Sequence, residues 1–249
     1  MDQDAYKAFY EKVGKINGWD FSSVKCRTEG KHWDFYKEVA QACKKSDLVL
    51  DIGTGGGESA LPLADSALLL VGIDQASGMI ETAVRNGAAA GVLNVRYLRM
   101  EAGKLDFPDR FFDVVSCRHS DFCANEIARV LREGGIFLTQ QISETDKHNL
   151  KQAFGRGQAW GTKAGTLRER YMAELNEAGF ADIESFEWNV TEFYETAEDL
   201  IFLLKHTPII PDFGQTEGDF QILDSFIREY RTDRGIRTSS DRFIIRVRR

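Results

Sequence analysis

The stretch "LVLDIGTGGGES", residues 48–59, decides the fold of this chain. In it a short apolar run ends at Asp51, and four glycines follow within the five positions 53–57. Short apolar runs are typical of strands that are buried on both faces of a parallel sheet. Dense glycines indicate that the backbone must turn tightly and come close to another group. The stretch therefore predicts a strand, a turn and a ligand site at the carboxyl end of that strand.

Strands and helices alternate along the chain after this turn. Such alternation is typical of α/β proteins, in which helices cover both faces of a mostly parallel sheet. We therefore expect a doubly wound, mostly parallel, seven-stranded Rossmann-like sheet. The predicted strands are 48–52, 68–74, 94–100, 111–117, 134–142, 182–190 and 242–248, and the helices between the first five are expected to start near Glu58 and to span 77–90 and 124–132.

Two further segments flank the predicted core at 46–142, and we expect residues 1–249 to form one domain. Residues 1–45 are predicted to be an N-terminal helical cover, with helices at 2–13 and 31–45. Long insertions in compact domains are often lids or binding loops. The C-terminal part at 143–249 is predicted to hold helices at 145–154, 166–178, 197–205 and 218–231, and a lid-like insertion at 191–240 before the last strand.

The composition is that of a globular protein, with 43% hydrophobic and 29% charged residues and a formal net charge of −7. A negative net charge argues against nucleic acid as the main partner. No window approaches the roughly 20 apolar residues that a membrane span needs. The acidic start "MDQDAYKAFY" is unlike a secretory signal. None of the four cysteines forms a C-x-x-C pair, so we expect a cytoplasmic protein with no metal site.

A dinucleotide is one possible ligand for the glycine turn. Its G-x-G-x-x-G/A pattern fails from Gly53, because Glu58 occupies the third position, but it fits from Gly55 with Gly57 and Ala60. The carboxylate of Asp51 would repel a pyrophosphate, whereas it would favour a cationic ligand. A cation without phosphate is therefore the better match, although the dinucleotide hypothesis stays open at this point.

The order of acid, hydrophobe and Gly-x-Gly-x-Gly resembles the first motif of class I S-adenosylmethionine-dependent methyltransferases. The ligand of that family carries a sulfonium and an ammonium group and no phosphate. The resemblance implies S-adenosylmethionine as cofactor and S-adenosylhomocysteine as product. It also implies that the first motif contacts the cofactor through Asp51, Gly53, Thr54, Gly55 and Gly57.

The resemblance continues over residues 48–141. "LLVGIDQASGMIETA" is similar to the second motif of the family, where an acid binds the ribose hydroxyls and the following residues flank the adenine. "RMEAGKLDFPDRFFDVV" is similar to the third, where an acid and a small residue touch the adenine. "EIARVLREGGIFL" is similar to a structural segment of the family. The cofactor-binding residues implied by these motifs are Asp74, Gln75, Met79, Glu101 and Ala102.

The loop after the fourth core strand, "SCRHSDFCAN", lies where the methyl group is expected in the family. The unperturbed pKa of histidine is near neutrality, so His119 is a candidate general base toward a hydroxyl or an amine. A loop-stabilising histidine is the alternative. Arg118 is a candidate for lining the cofactor pocket or for holding a substrate carboxylate.

Aromatic residues crowd the N-terminus, and an aromatic cover would exclude water and attract the sulfonium. Core packing explains the same residues equally well. They are Tyr6, Phe9, Tyr10, Trp19, Trp33 and Tyr36.

The predicted reaction is in-line methyl transfer to a small-molecule acceptor, in which the protein supplies alignment. Methylation of a ribosomal-RNA base, a non-catalytic adenosyl-binding protein on the same fold and a nicotinamide oxidoreductase are the alternatives. The sequence leaves the acceptor atom and the oligomeric state open.

Overall fold

The computed structural model of the protein describes residues 8–9, 11–13, 15, 20–30 and 33–249. Within them, nine strands form one mixed sheet. Its order is β1-β7-β9-β6-β5-β2-β3-β4, and β8 pairs with β9. The strands are β1 Cys26–Glu29, β2 Leu48–Ile52, β3 Leu69–Asp74, β4 Val95–Arg99, β5 Phe112–Arg118, β6 Leu131–Ile142, β7 Ile183–Tyr194, β8 Arg231–Thr232 and β9 Gly235–Arg248.

Strands β2 to β6 run parallel, whereas β9 is antiparallel to both β6 and β7. The parallel strands therefore end at one edge of the sheet, and their following loops meet there. The helices are α1 Phe35–Ala42, α2 Ser77–Ala89, α3 Ala124–Val130, α4 His148–Phe154, α5 Thr166–Glu177, α6 Ala197–His206 and α7 Asp219–Tyr230, together with a 3-10 helix at Leu61–Ser66.

Apolar side chains cover both faces of the sheet, as the sequence predicts. On one face, Leu50 and Val115 pack with Leu175 of α5. On the other face, Val49 and Val114 pack with residues of α1 and of the 3-10 helix. Burial on two faces explains why the core strands are continuous apolar runs. A third apolar cluster joins α4, α6 and α7 to the ends of β7 and β9.

The structure differs from the expected seven strands by two short ones, β1 and β8. All four residues of β1 are exposed, and β8 has only two residues. Such strands bury no side-chain face of their own, so they leave no alternating apolar pattern in the sequence. For this reason no strand was predicted between the helices expected at 2–13 and 31–45, where β1 lies.

The helix expected near Glu58 is also absent, and the chain there forms turns followed by the 3-10 helix Leu61–Ser66. Pro62 stands in its first turn, where its lack of an N–H is tolerated. The insertion is shorter than expected, because the pairing of β7 with β9 continues as far as Tyr194 opposite Ile236. Residues 195–234 form the connection, and α6 and α7 lie within it as predicted. Across the described part of the chain, none of the helices has the length and apolar character that crossing a bilayer would require.

Candidate active site

The glycine turn follows β2 and is packed from two sides. Gly53 has a φ of +69°, and a Cβ there would lie 2.3 Å from Cβ of Ser120. Gly57 has a φ of +77°, and a Cβ there would lie 2.6 Å from the hydroxyl oxygen of Tyr97. Both positions therefore require glycine, for backbone conformation and for space. The turn holds main-chain groups at the shared edge of β2, β3 and β5.

Asp74 ends β3 and faces this turn. Its carboxylate accepts the N–H of Gly55 at 3.1 Å through Oδ2 and the N–H of Ala76 at 2.9 Å through Oδ1. Burial raises the pKa of Asp74. Each carboxylate oxygen has two lone pairs, so the side chain retains acceptor capacity for hydroxyl groups. The acid of the second motif and the glycines of the first are thus brought together.

Asp51 is wholly buried beneath the turn. Its Oδ1 accepts a hydrogen bond from Ser116 at 2.6 Å, and its Oδ2 accepts one from the Tyr36 hydroxyl at 3.4 Å. Burial raises the pKa of Asp51 to about 6, although both bonds favour the charged form. Ser116 was not among the predicted site residues, and Tyr36 was predicted only as part of the aromatic cover. Neither partner is close to Asp51 in the chain.

The other implied cofactor residues differ in exposure. Thr54 is buried and Gln75 is half-buried beside Asp74. Ala102 is half-buried against the main core, whereas Glu101 is exposed after β4. Glu101 is one carbon longer than the aspartate that is usual at this position of the family's motif.

Helical residues near the N-terminus dock on the start of α2. The Glu11 carboxylate accepts the N–H groups of Ser77 at 2.8 Å and Gly78 at 3.2 Å. Met79 is buried in a small cluster with Val13. Tyr6, Tyr10 and Trp19 of the predicted aromatic cover lie outside the described residues.

His119 follows β5 with a φ of +57°. Its Nε2 lies 3.0 Å from Nε2 of Gln140, and its backbone N–H donates to the Gln140 carbonyl at 2.9 Å. Burial, with the guanidinium groups of Arg118 and Arg242, holds the pKa of His119 well below its usual range. The imidazole is therefore neutral at pH 7.

Arg118 is the last residue of β5 and immediately precedes His119 in the chain. Its guanidinium lies 5.8 Å from the centre of the Tyr36 ring. Its Nε is buried and has no hydrogen-bond partner in the part of the chain that the structure describes. A buried donor without a partner costs free energy unless a ligand supplies the acceptor.

A cluster of buried charges, which sequence reasoning missed entirely, lies beyond the end of β6 and against β7 and β9. Lys147 is 1% exposed, and its ammonium pairs with Glu192 and donates to Thr238 at 3.2 Å. The Tyr194 hydroxyl donates to Glu192 at 2.7 Å. Burial opposes the charge on Glu192, but Lys147 and Arg242 lower its pKa to about 2. We call the residues Asp146, Lys147, Glu192 and Arg242 the ionic cluster; its second ion pair joins Arg242 to Asp146.

A cavity of about 210 Å³ adjoins this cluster at the end of β6. Its lining includes Asp146 of the ionic cluster, Ile142, and Lys151, which is 3% exposed. Among residues 8–9, 11–13, 15, 20–30 and 33–249, no group of three or more His, Cys, Asp and Glu side chains is placed to hold a metal ion.

Comparison with known proteins consistently finds methyltransferases. The family described as "Methyltransferase domain" matches residues 49–135. The uncharacterized methyltransferase YcgJ of Bacillus subtilis is 38% identical over 125 residues, 47% of this chain and 49% of YcgJ. Its crystal structure superposes with a TM-score of 0.59 at 22% identity, covering 87% of this chain and 98% of that one.

Two relatives have names that state a substrate. The phosphatidylethanolamine N-methyltransferase of Cereibacter sphaeroides is 31% identical over 158 residues, 60% of this chain and 74% of that protein. The demethylmenaquinone methyltransferase of Thermus thermophilus is 38% identical over 108 residues, 40% of this chain and 49% of that protein. In the sequence alignments, this chain thus spans about half the length of YcgJ and of the Thermus relative.

Proposed function

Because this chain belongs to the class I S-adenosylmethionine-dependent methyltransferases, we propose that it transfers a methyl group to a small-molecule acceptor. Its cofactor is S-adenosylmethionine. The names of the Cereibacter and Thermus relatives support a small molecule, since one names a phospholipid and the other a quinone precursor. The net charge of −7 supports the same choice over ribosomal RNA.

The contact between Asp74 and Gly55 is the observation that carries this proposal. It joins the acid of the second motif to the glycine turn at the carboxyl ends of two parallel strands, where such sheets bind ligands. We assign the donor site to Asp51, Gly53, Thr54, Gly55, Gly57, Asp74, Gln75, Met79, Glu101 and Ala102, with Arg118 at its acceptor side.

When bound, S-adenosylmethionine supplies an electrophilic methyl group on a sulfonium. Asp74 would accept hydrogen bonds from the ribose hydroxyls, which is a strong interaction because the acceptor is charged. The turn at Gly53 would align the donor with an acceptor that approaches from the loop after β5. His119 is the candidate catalytic side chain at that approach; its ring is neutral, and because Nε2 faces Gln140 it would contact the acceptor through Nδ1.

Calorimetric titration of the purified protein with S-adenosylhomocysteine tests this proposal, with NAD as the control. We expect micromolar binding of S-adenosylhomocysteine and no heat from NAD beyond dilution. Labelled S-adenosylmethionine then allows acceptors to be screened. Binding of NAD alone would instead support the oxidoreductase hypothesis and reject the donor site.

A further inference from the structure

Arg118, the last residue of β5, forms no salt bridge with any of the described residues. Its Nε is buried and has no hydrogen-bond partner among the described residues, and its guanidinium lies 5.8 Å from the centre of the Tyr36 ring. Asp51 accepts hydrogen bonds from Ser116 and Tyr36, and the positive charge of Arg118 favours its ionised form without a salt bridge between them.

The other carboxylates around this edge of the sheet have partners of their own. A carboxylate that is already paired neutralises little of a second cation, because its charge is shared. Arg118 therefore remains the cation available to a ligand. The ion pairs are Asp146 with Arg242 and Glu192 with Lys147, and Asp121 accepts a hydrogen bond from the Tyr171 hydroxyl.

His119 adds a second donor on the same side. Consecutive strand residues normally point to opposite faces, but the left-handed backbone at His119 turns its ring onto the side chain of Gln140. Gln140 is the register partner of Arg118, so the three side chains share one face. Left-handed histidines are uncommon, and such backbone strain is concentrated at functional sites.

The hydrogen bond from Gln140 fixes what His119 can offer. With the amide nitrogen of Gln140 facing Nε2 of a neutral ring, Nε2 accepts and the ring proton lies on Nδ1. No other described residue takes a hydrogen bond from Nδ1. His119 therefore presents an N–H donor, next to the fork of N–H groups on Arg118.

We propose, on the basis of the function proposed above, that the methyl acceptor carries a carboxylate, which Arg118 and the Nδ1–H of His119 bind beyond the end of β5. Guanidinium and carboxylate match in shape, and their charge-assisted hydrogen bonds are about twice as strong as neutral ones. A protonated amine at this position would face the positive charges of Arg118 and Arg242. The carboxylate is the anchor of the acceptor; it is bound and not itself methylated.

The test uses the whole protein saturated with S-adenosylhomocysteine and two simple acids as probes. Benzoate and octanoate, each compared with its uncharged amide, are titrated by calorimetry. We expect at least one acid to bind about tenfold or more tightly than its amide, as a charged hydrogen bond requires. Arg118→Gln should abolish this preference, and Arg118→Lys should retain part of it. Arg228→Gln, at an exposed arginine of α7, is the matched control and should retain all of it.

Three results would overturn the inference. One is equal binding of both acids and their amides by the wild-type protein that has bound S-adenosylhomocysteine. The second is an acid preference that survives Arg118→Gln. The third is a tenfold loss of S-adenosylhomocysteine affinity in Arg118→Gln with the acid preference intact, which would assign the guanidinium to the donor. Failure of the proposed function is distinct, since the wild-type protein would then not bind S-adenosylhomocysteine at all.

Discussion

At the ends of β2 and β3, the proposed donor site is formed largely by main-chain groups. In contrast, the ionic cluster beyond the end of β6, against β7 and β9, is formed by charged side chains. The first region depends on the glycine turn and on Asp74. These residues all lie in the segment of 27 residues that begins with Leu48 of β2 and ends with Asp74. The second depends on ion pairs between residues 45 and 96 positions apart in the chain.

The largest effect is expected in the side-chain region, from Lys147→Met. This change leaves Glu192 buried without its partner, and breaking a buried ion pair in this way costs about 3–5 kcal/mol. We expect that loss in the free energy of unfolding, measured by urea denaturation. Affinity for S-adenosylhomocysteine should change less than about threefold in the folded protein. Substitutions at sites that share no partners usually act independently of one another.

Two controls sharpen this prediction. Lys147→Met combined with Glu192→Leu removes both charges and should recover most of the lost stability. Arg228→Met breaks the exposed pair with Asp224 and should cost less than about 1 kcal/mol. Equal losses in Lys147→Met and Arg228→Met would mean that the ionic cluster contributes no more than a surface pair.

A smaller loss of stability is expected in the main-chain region, from Gly53→Ala. The positive φ costs about 1–2 kcal/mol for a residue with a Cβ, and contact with Ser120 adds roughly 1–3 kcal/mol of overpacking. Gly91→Ala is the matched control, because Gly91 has a φ of +67° and no atom within 4 Å of the added Cβ. Thermal unfolding and S-adenosylhomocysteine titration are measured for both variants. Gly91→Ala reports the cost of the positive φ alone, whereas Gly53→Ala adds the contact of the new Cβ with Ser120. The account is wrong here if the two variants lose equal stability and affinity.

Much of the main-chain region could be predicted from the sequence, since a strand, a glycine turn and an acid at the next strand end are local patterns. The apolar runs "LVLDI" and "LLLVGI" report burial on two faces, and the structure places them as the central strands β2 and β3. The same logic failed for β1, whose four exposed residues carry no periodicity.

The side-chain region could not be predicted, because no local pattern encodes a partner far along the chain. Lys147 stands in "SETDKHNL" like any surface lysine, yet it is buried against Glu192. Likewise, Tyr36 was marked for its ring, whereas its hydroxyl oxygen lies at Asp51. Such contacts follow from packing of distant segments and become visible only in three dimensions.

The central claim is that the acid at the end of β3 and the glycine turn bind the donor together, and Asp74→Ala tests it most directly. S-adenosylhomocysteine titration of this variant is compared with the wild-type protein and with Asp224→Ala, whose carboxylate is exposed on α7. The account predicts at least a tenfold weaker affinity for Asp74→Ala alone, since a charged hydrogen bond contributes about 1.5–3 kcal/mol. An unchanged dissociation constant in a folded Asp74→Ala protein would remove Asp74 from the site and contradict the account.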